Sequence, residues 1–464
     1  MRLYFIWPIC ILFVTYFGFV PFYHGQHIEF YYLLFILFYG FFGLTHIQAK
    51  LLLTPKWFLI ITGLLFVQVF AMLISKLQIK IPDYNYTFTK SVVGVAIFII
   101  TIYVHYAAMK LNINTFNDVR RFLRGGYWAL IIALVISYIQ LLYIWFPHIF
   151  EWPIKIFASC LEARWGPELV GENIHRFYSK GSYVQTTGRV NGLTQEASTN
   201  ALFFSVVFVP FLVASIKNKI NIFNQSNKIT SIYLLLVLVI ILLLLGKTTQ
   251  GILSSILIIL ICFKELPLRS RFLLIGGVGV GVVCFLIVGV NNGYIQEFFT
   301  NYVNKVGDLK VASTANRAGN VVSLIMTIIQ NPITGVGRGY LDYYIITNMP
   351  LWATNNFEYE IFANSLTFPV LSSFFGITAE YGVVFIVIFI YYLRNVYVRW
   401  KSYISQKSNI ENQLRAIFDS MKYFFIFGFI GMFFNIQWYA SIYLVLLFFF
   451  ICVLLMLERE RELK

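Results

Sequence analysis

Apolar residues in this chain come in long blocks, separated by short polar connections, with no sustained alternation of apolar and polar positions. Blocks of about 20 apolar residues, enough to cross a bilayer as helix, recur from one end to the other. The pattern predicts twelve spans, near residues 3–23, 28–46, 57–75, 91–109, 127–147, 200–216, 230–246, 250–263, 272–291, 374–393, 423–437 and 440–457. The first follows a single Arg2 and shows no small-residue cleavage site, so it reads as a retained span and not a signal peptide. The chain therefore reads as an all-α polytopic membrane protein, one integral membrane domain over 1–464.

Two connections are long, 148–199 and 292–373. The first mixes Trp152 and Trp165 with Glu151, Lys155, Glu162, Arg164 and Glu168, a pattern suited to short helices lying on a membrane surface. In the second, Val321, Val322, Leu324, Ile325, Ile328 and Ile329 fall at helical spacing between Arg317 and Gln330. Asn320, Ser323, Thr327 and Gln330 form the opposite, polar face. Asn316 is placed to cap this amphipathic helix and Pro332 to stop it. The following stretch, Asn331 to Tyr340, alternates Gly335, Gly337 and Gly339, which permit tight turns or close backbone approach. Neither nucleotide-loop spacing is present.

Composition agrees: 59% of residues are hydrophobic and 12% charged, against about a quarter charged in soluble proteins. The net charge of +15 does not point to nucleic acid, because the basic residues are spread over the connections. Lysine and arginine crowd one alternate set of short connections, including Arg120-Arg121-Arg124 and Arg394 to Lys422. The positive-inside rule then puts both termini in the cytoplasm and the two long connections on the outer face. Cys10, Cys262, Cys284 and Cys452 lie in apolar runs and Cys160 in a long connection, so neither a disulfide framework nor a CxxC metal pair is expected. His24 and His27 read as a solvated interface pair.

Candidate chemistry concentrates between Gly188 and Asn200. Arg189 and Glu196 precede the sixth span, whose outward N-terminus Ser198, Thr199 or Asn200 can cap, and whose dipole favours an anion. Arg317 stands at the expected start of the amphipathic helix. Together the two arginines could clamp a diphosphate from two sides; the alternative for each is snorkelling or pairing with loop carboxylates. Glu196 is the first candidate for activating an acceptor hydroxyl. Glu380 lies in an otherwise apolar span, where a charge costs about 2.5–3.5 kcal/mol at mid-bilayer, so it should face a partner or a cavity. Arg338, Asn191, Asn316 and Tyr340 are candidates for substrate binding, with a structural turn as the alternative for Arg338. His105 and Lys247 are polar intruders in apolar surroundings and read as structural. Gly276, Gly277, Gly279 and Gly281 read as positions of close helix packing.

The order of four motifs resembles the O-antigen ligase and polymerase superfamily of bacterial inner-membrane glycosyltransferases. These are G-R-V-N-G-L-T-Q-E-A-S at 188–198, A-N-R-A-G-N at 315–320, Q-N-P-I-T-G-V-G-R-G at 330–339 and A-E-Y-G at 379–382, within a core over 185–395. The resemblance implies a GT-C-like fold and a metal-independent, cofactor-free, inverting transfer of glycan from undecaprenyl diphosphate on the periplasmic face. It implies Arg189 and Arg317 as diphosphate-binding residues, Glu196 as the acidic residue frequent in the polymerase branch, and Glu380 as the glutamate of the family's E-x-G. Ligases of the family place a histidine shortly before that glutamate. Here that stretch is Val370-Leu371-Ser372-Ser373, and the second long connection has no histidine.

The expectation is therefore a surface-polysaccharide polymerase, O-antigen foremost, with capsule or exopolysaccharide open. Its rivals are a ligase that transfers the glycan to a lipid A core and a flippase for lipid-linked oligosaccharides. The implied partners are an undecaprenyl-diphosphate-linked oligosaccharide and membrane lipid, with a chain-length regulator protein left open.

Overall fold

The computed structural model describes residues 55–79, 88–160, 162, 175–192, 194–224, 229–290, 312–406, 412–434, 436 and 440–462. The spans expected at 3–23 and 28–46 lie outside these residues, as do 163–174 and 291–311 of the long connections. Regular structure among the described residues is helical, with no strand. The principal helices are α1 (Pro55–Gln78), α2 (Phe88–Asn112), α3 (Phe116–Trp145), α4 (Pro147–Cys160), α5 (Ala197–Lys217), α6 (Thr230–Leu245) and α7 (Thr249–Glu265). They continue with α8 (Leu268–Val290), α9 (Ala312–Gln330), α10 (Leu341–Thr347), α11 (Phe357–Asn364), α12 (Ser373–Gln406), α13 (Asn412–Met432) and α14 (Ser441–Glu462). Each expected span that falls on described residues coincides with one of them. The last but one sits earlier than expected, because α13 begins in the polar stretch carrying Arg415, Asp419 and Lys422. Six helices (α1, α2, α3, α5, α12 and α14) contain segments long and apolar enough to cross a membrane, and α6 is a shorter apolar helix.

Local chemistry explains the boundaries. Thr115 and Asp118 form a reciprocal capping box at the start of α3: the Asp118 amide donates to Thr115 Oγ1 at 3.3 Å and the Thr115 amide to Asp118 Oδ2 at 2.9 Å. In α5 a turn of π-helix spans Phe204–Phe208, just before Pro210. A proline inside a helix removes one hydrogen bond and presses its ring on the carbonyl four residues back. The wider π turn accommodates both effects.

Helix α5 is the axis of the bundle, with 94% of its apolar window buried. α6, α7 and α13 pack around it. Aromatic rings fill the spaces: Phe211 stacks on Phe450 of α14 at 5.8 Å, and Phe122 of α3 on Phe449 at 4.4 Å. Ion pairs gather the helix ends on one face. Lys217 Nζ lies 2.8 Å from Glu265 and 3.1 Å from Asp419, Lys422 Nζ lies 3.0 Å from Glu265, and Arg399 pairs with Glu458. Such part-exposed pairs stabilise by about 0.2–1 kcal/mol each; here they tie the ends of α5, α7, α12, α13 and α14. The start of α5 and the end of α6 meet at the opposite face.

Helix α9 departs from expectation twice. It begins at Ala312, so Asn316 and Arg317 lie in its second turn, and Asn316 does not cap it. Three of its four polar-face residues point inward beside Leu324, while Gln330 is exposed. Asn320, Ser323 and Thr327 are buried, whereas Val322, Ile325, Met326 and Ile329 are exposed. The reason is backbone satisfaction in the segments packed beneath it, the end of α10 and the strap before α12. Ser323 Oγ donates to the carbonyls of Tyr344 (3.3 Å) and Ile345 (2.8 Å). Asn320 donates to Pro369 O at 3.2 Å and accepts from the Leu371 amide at 3.0 Å.

Helix α12 is broken at Gly382, at φ 85° and ψ 162°. The break frees the carbonyls of Ala379 and Glu380 and the amide of Val383. The glycine segment takes up all three groups: Val336 N donates to Ala379 O (2.9 Å), Gly337 N to Glu380 O (3.0 Å) and Val383 N to Pro332 O (2.8 Å). Only glycine permits this approach, since a Cβ on Gly382 would stand 2.0 Å from Ile333 O and one on Gly335 2.5 Å from Glu380 O. On its other side the segment is held by α1, through Ser75 Oγ to Val336 O at 2.6 Å. Of the glycines in α8, a Cβ on Gly277 would meet Val237 Cγ2 at 2.9 Å, whereas Gly276 and Gly279 have nothing within 4 Å.

This geometry makes Gly382→Ala destabilising. A positive φ costs about 1–3 kcal/mol for a side-chain-bearing residue, and the clash with Ile333 adds to it. Thermal unfolding in detergent should show a lowered midpoint for G382A. Gly63→Ala, whose Cβ meets nothing within 4 Å, should leave it unchanged or raise it through the roughly 1 kcal/mol helix preference of alanine.

Candidate functional site

A short helix, Tyr183–Thr187, leads into the stretch singled out by sequence and ends at Gly188 in the left-handed region, φ 64°. The turn brings Arg189 back over it. Arg189 Nε donates to Lys247 O at 3.0 Å and Nη1 to Tyr183 Oη at 3.2 Å. Lys247 is buried at the end of α6, held at φ 53°, and followed by Thr248, whose Oγ1 caps α7 by accepting from the Gly251 amide at 2.9 Å. A Cβ on Gly188 would sit 3.9 Å from Lys247 Nζ, so the lysine ammonium lies beside the backbone next to Arg189. Two cations are therefore brought together at the start of the central helix. Lys247, which reads from sequence as a structural intruder, belongs to this cluster.

The loop is fixed from below by a residue the sequence placed on the membrane surface. Glu162 is only 1% exposed. Its Oε1 accepts from Ser182 Oγ (2.9 Å), the Tyr183 amide (3.0 Å) and Asn191 Nδ2 (3.0 Å). Asn191 is fully buried and also donates to Thr194 O at 2.6 Å, so it holds the loop together. Gln140 of α3 pairs with both backbone groups of Gly192: it accepts from the amide at 2.7 Å and donates to the carbonyl at 2.6 Å. Glu196 is itself the extended residue that precedes α5, in place of Ser198, Thr199 or Asn200. Its half-buried carboxylate accepts from Ser198 Oγ and does not cap the helix. Asn200 is buried inside α5, its Nδ2 3.5 Å from Ser137 Oγ.

Arg317 is exposed on α9 and makes no hydrogen bond or ion pair among the described residues. No contact of that kind joins it to Arg189. Its neighbour Asn316 is buried and exchanges amide hydrogen bonds with Asn356, at 3.1 and 3.0 Å, while Asn356 Oδ1 caps α11 through the Tyr359 amide. That pairing gives Asn316 a structural task.

The second cluster lies at the break in α12. The Arg338 guanidinium sits 4.5 Å over the Phe98 ring, its charge acts on Glu380, and the Arg338 amide donates to Gln68 Oε1 at 3.3 Å. Glu380 thus lies within reach of the Arg338 charge, with Tyr381 as a further polar neighbour. Tyr340 is buried against Met72 and Val95 and anchors the glycine segment. Asp342, two residues on, went unnoticed in the sequence. It lies half-buried in the first turn of α10. Burial, with the charge of Glu380 adding, pushes its carboxyl up to about 7, and the facing Phe368 amide opposes the rise. His105 donates from Nδ1 to Thr101 O at 2.6 Å within its own helix, as a structural residue would. Among the described residues no group of three or more His, Cys, Asp and Glu side chains gathers as a metal site would need.

What this arrangement offers chemically is one cation pair at the start of α5, suited to an anion, and a single arginine near a carboxylate at the break in α12. The Glu162 post is testable. Hydrogen bonds to a charged group contribute about 1.5–3 kcal/mol each, so Glu162→Ala should loosen the 175–196 segment. Limited proteolysis there should speed up at least about tenfold, since 1.4 kcal/mol is a factor of ten; an unchanged rate would show that the post is not needed. The chain matches no family model, no curated protein and no solved structure.

Proposed function

We propose that the protein is a repeat-unit polymerase of a surface polysaccharide, O-antigen foremost. In this reading it is a twelve-span, GT-C-like glycosyltransferase of the bacterial inner membrane with both termini cytoplasmic. It transfers the growing glycan from undecaprenyl diphosphate to a lipid-linked repeat unit on the periplasmic face. The observation that carries the reading is the juxtaposition of Arg189 and Lys247 at the start of the buried helix α5. A diphosphate leaving group develops negative charge as the sugar departs, and without a metal that charge is met by cations and helix N-termini. Arg189 and Lys247 supply the charges and α5 the dipole. Arg317, exposed on α9, is the cation the second long connection offers to a carrier held between the two. Inversion follows when the acceptor hydroxyl attacks the anomeric carbon opposite the departing diphosphate. The four-motif resemblance supports the same reading, and the missing histidine before Glu380 favours polymerase over ligase.

The broken helix α12 favours a second reading, a flippase, because transporters build substrate sites on discontinuous helices. However, the carbonyls of Ala379 and Glu380 and the amide of Val383 are already taken up by Val336, Gly337 and Pro332, so these groups are not open ligands for a cargo. Polymerase is the better fit.

Arg189→Ala, Lys247→Ala and Arg317→Ala should each cut polymer formation about 10²-fold or more, the usual loss when a charge-stabilising donor is removed, while protein levels stay normal. Glycan ladders on gels report chain length. A lost polymerase leaves single repeats on the lipid A core, whereas a lost ligase leaves none. Wild-type chain length in both arginine variants would overturn the clamp.

A further inference from the structure

We propose that the second long connection is not a water-facing loop but a membrane-docked element: α9 enters one leaflet of the bilayer beside α12, and phospholipid acyl chains cover its apolar face. The inference stands apart from the polymerase reading.

Three observations carry it. The first is where α9 lies. It runs alongside the opening segment of α12, in the same direction, and is fastened at both ends of the contact. Just before α12 begins, Asn320 donates to Pro369 O at 3.2 Å and accepts from the Leu371 amide at 3.0 Å. At the far end, Pro332 O accepts from the Val383 amide at 2.8 Å. Ser373–Ser405 is a segment long and apolar enough to cross a membrane, so a helix fastened along its first turns shares its depth. The exposed apolar surface is continuous across the join: Ile329 and Ile333 on one side, Val383, Val384, Val387 and Ile388 on the other.

The second is the gradient of exposed side chains along α9. In its first half they are Ser313 and Arg317; from there on they are Val322, Ile325, Met326 and Ile329, with Gln330 at the end. Gln330 has both amide atoms paired with Asn348, at 3.1 and 3.0 Å. A helix that met water would turn these faces the other way. Val322 to Ile329 covers about 10 Å of axis at 1.5 Å per residue, against a hydrocarbon core of about 30 Å, so α9 can enter one leaflet without crossing. Beside its last polar turn the strap before α11 is fitted against Gly319, where a Cβ would stand 2.4 Å from Ala353 Cβ. That fit places the exposed Leu351 and Trp352 next to this turn. Tryptophan favours such a level, the boundary of headgroups and acyl chains.

The third is the treatment of the irregular backbone that follows α9. Water satisfies such backbone in an aqueous loop, whereas in lipid only protein can. Gly335, Val336 and Gly337 are buried. Their amides donate to Asn331 O (3.2 Å), Ala379 O (2.9 Å) and Glu380 O (3.0 Å), and Val336 O accepts from Ser75 Oγ at 2.6 Å.

Fluorescence quenching tests this in the full chain, with its five native cysteines replaced and single cysteines introduced for a bimane label. The protein is placed in vesicles of phosphatidylethanolamine and phosphatidylglycerol, with acyl-brominated lipid or aqueous iodide as quencher. Labels on I325C, I329C and I333C should be quenched by brominated lipid as strongly as one on V387C in α12. Because an anion is excluded from hydrocarbon, iodide should quench them at least about tenfold less than a label on E360C, exposed on α11. Iodide quenching equal to that at E360C overturns the proposal and leaves α9 in water. Labels reached by neither quencher also overturn it, and show the face covered by protein, such as a second copy of the chain. A V387C label open to iodide removes α12 from the membrane and the proposal with it.

Discussion

A chain buried in lipid must satisfy every backbone amide and carbonyl from within itself. Helix α12 breaks that rule locally at Gly382, and much of the second long connection is shaped by the repair. The three freed groups are met by main chain from Pro332 to Gly337, which forces the segment into contact with the helix and excludes any Cβ at the closest points. With the segment pinned there, Arg338 falls beside Glu380, Tyr340 is driven into the pocket lined by Met72 and Val95, and Asp342 begins the next helix. The chemistry-bearing residues of this region are placed by a hydrogen-bond debt elsewhere in the backbone.

The first cluster has a different foundation. Helix α5 is enclosed by α6, α7 and α13, so the ends of these helices cannot shift independently. Lys247 ends α6, Thr248 caps α7, and Arg189 is fixed to the carbonyl of the former. At the far end, Lys217, Glu265, Asp419 and Lys422 fasten the same helices together. A cation pair mounted on such a frame is preorganised, and preorganised charges meet an anion without first having to rearrange.

Helices were legible in the sequence because length and hydropathy are local properties. The apolar helices from 57 onward, the glycine turns and the polar cluster at the head of α5 could all be read that way. Direction was less legible. The periodicity of Arg317 to Gln330 correctly announced a helix with two faces, but periodicity does not say which face is inside; in a membrane protein the apolar one can point out. Lys247 looked structural because a lysine in an apolar run usually snorkels or pairs, and its proximity to Arg189 is a product of tertiary folding over 58 residues. Glu162 and Asp342 carried no signal, since a lone carboxylate in a mixed-charge loop gains its meaning only from what folds around it.

The inward-facing polar residues of α9 have a consequence for how this protein can vary. In a water-soluble domain the outward face of a helix accepts nearly any polar residue, and the inward face is conservative about shape and apolarity. Here the outward positions, Val322, Ile325, Met326 and Ile329, would drift freely among apolar residues yet reject charge, if that face meets lipid. The inward serine, threonine and asparagine would be held by the geometry of their hydrogen bonds. Sequence divergence along α9 should therefore erase its resemblance to an ordinary amphipathic helix while leaving the polar stripe in place.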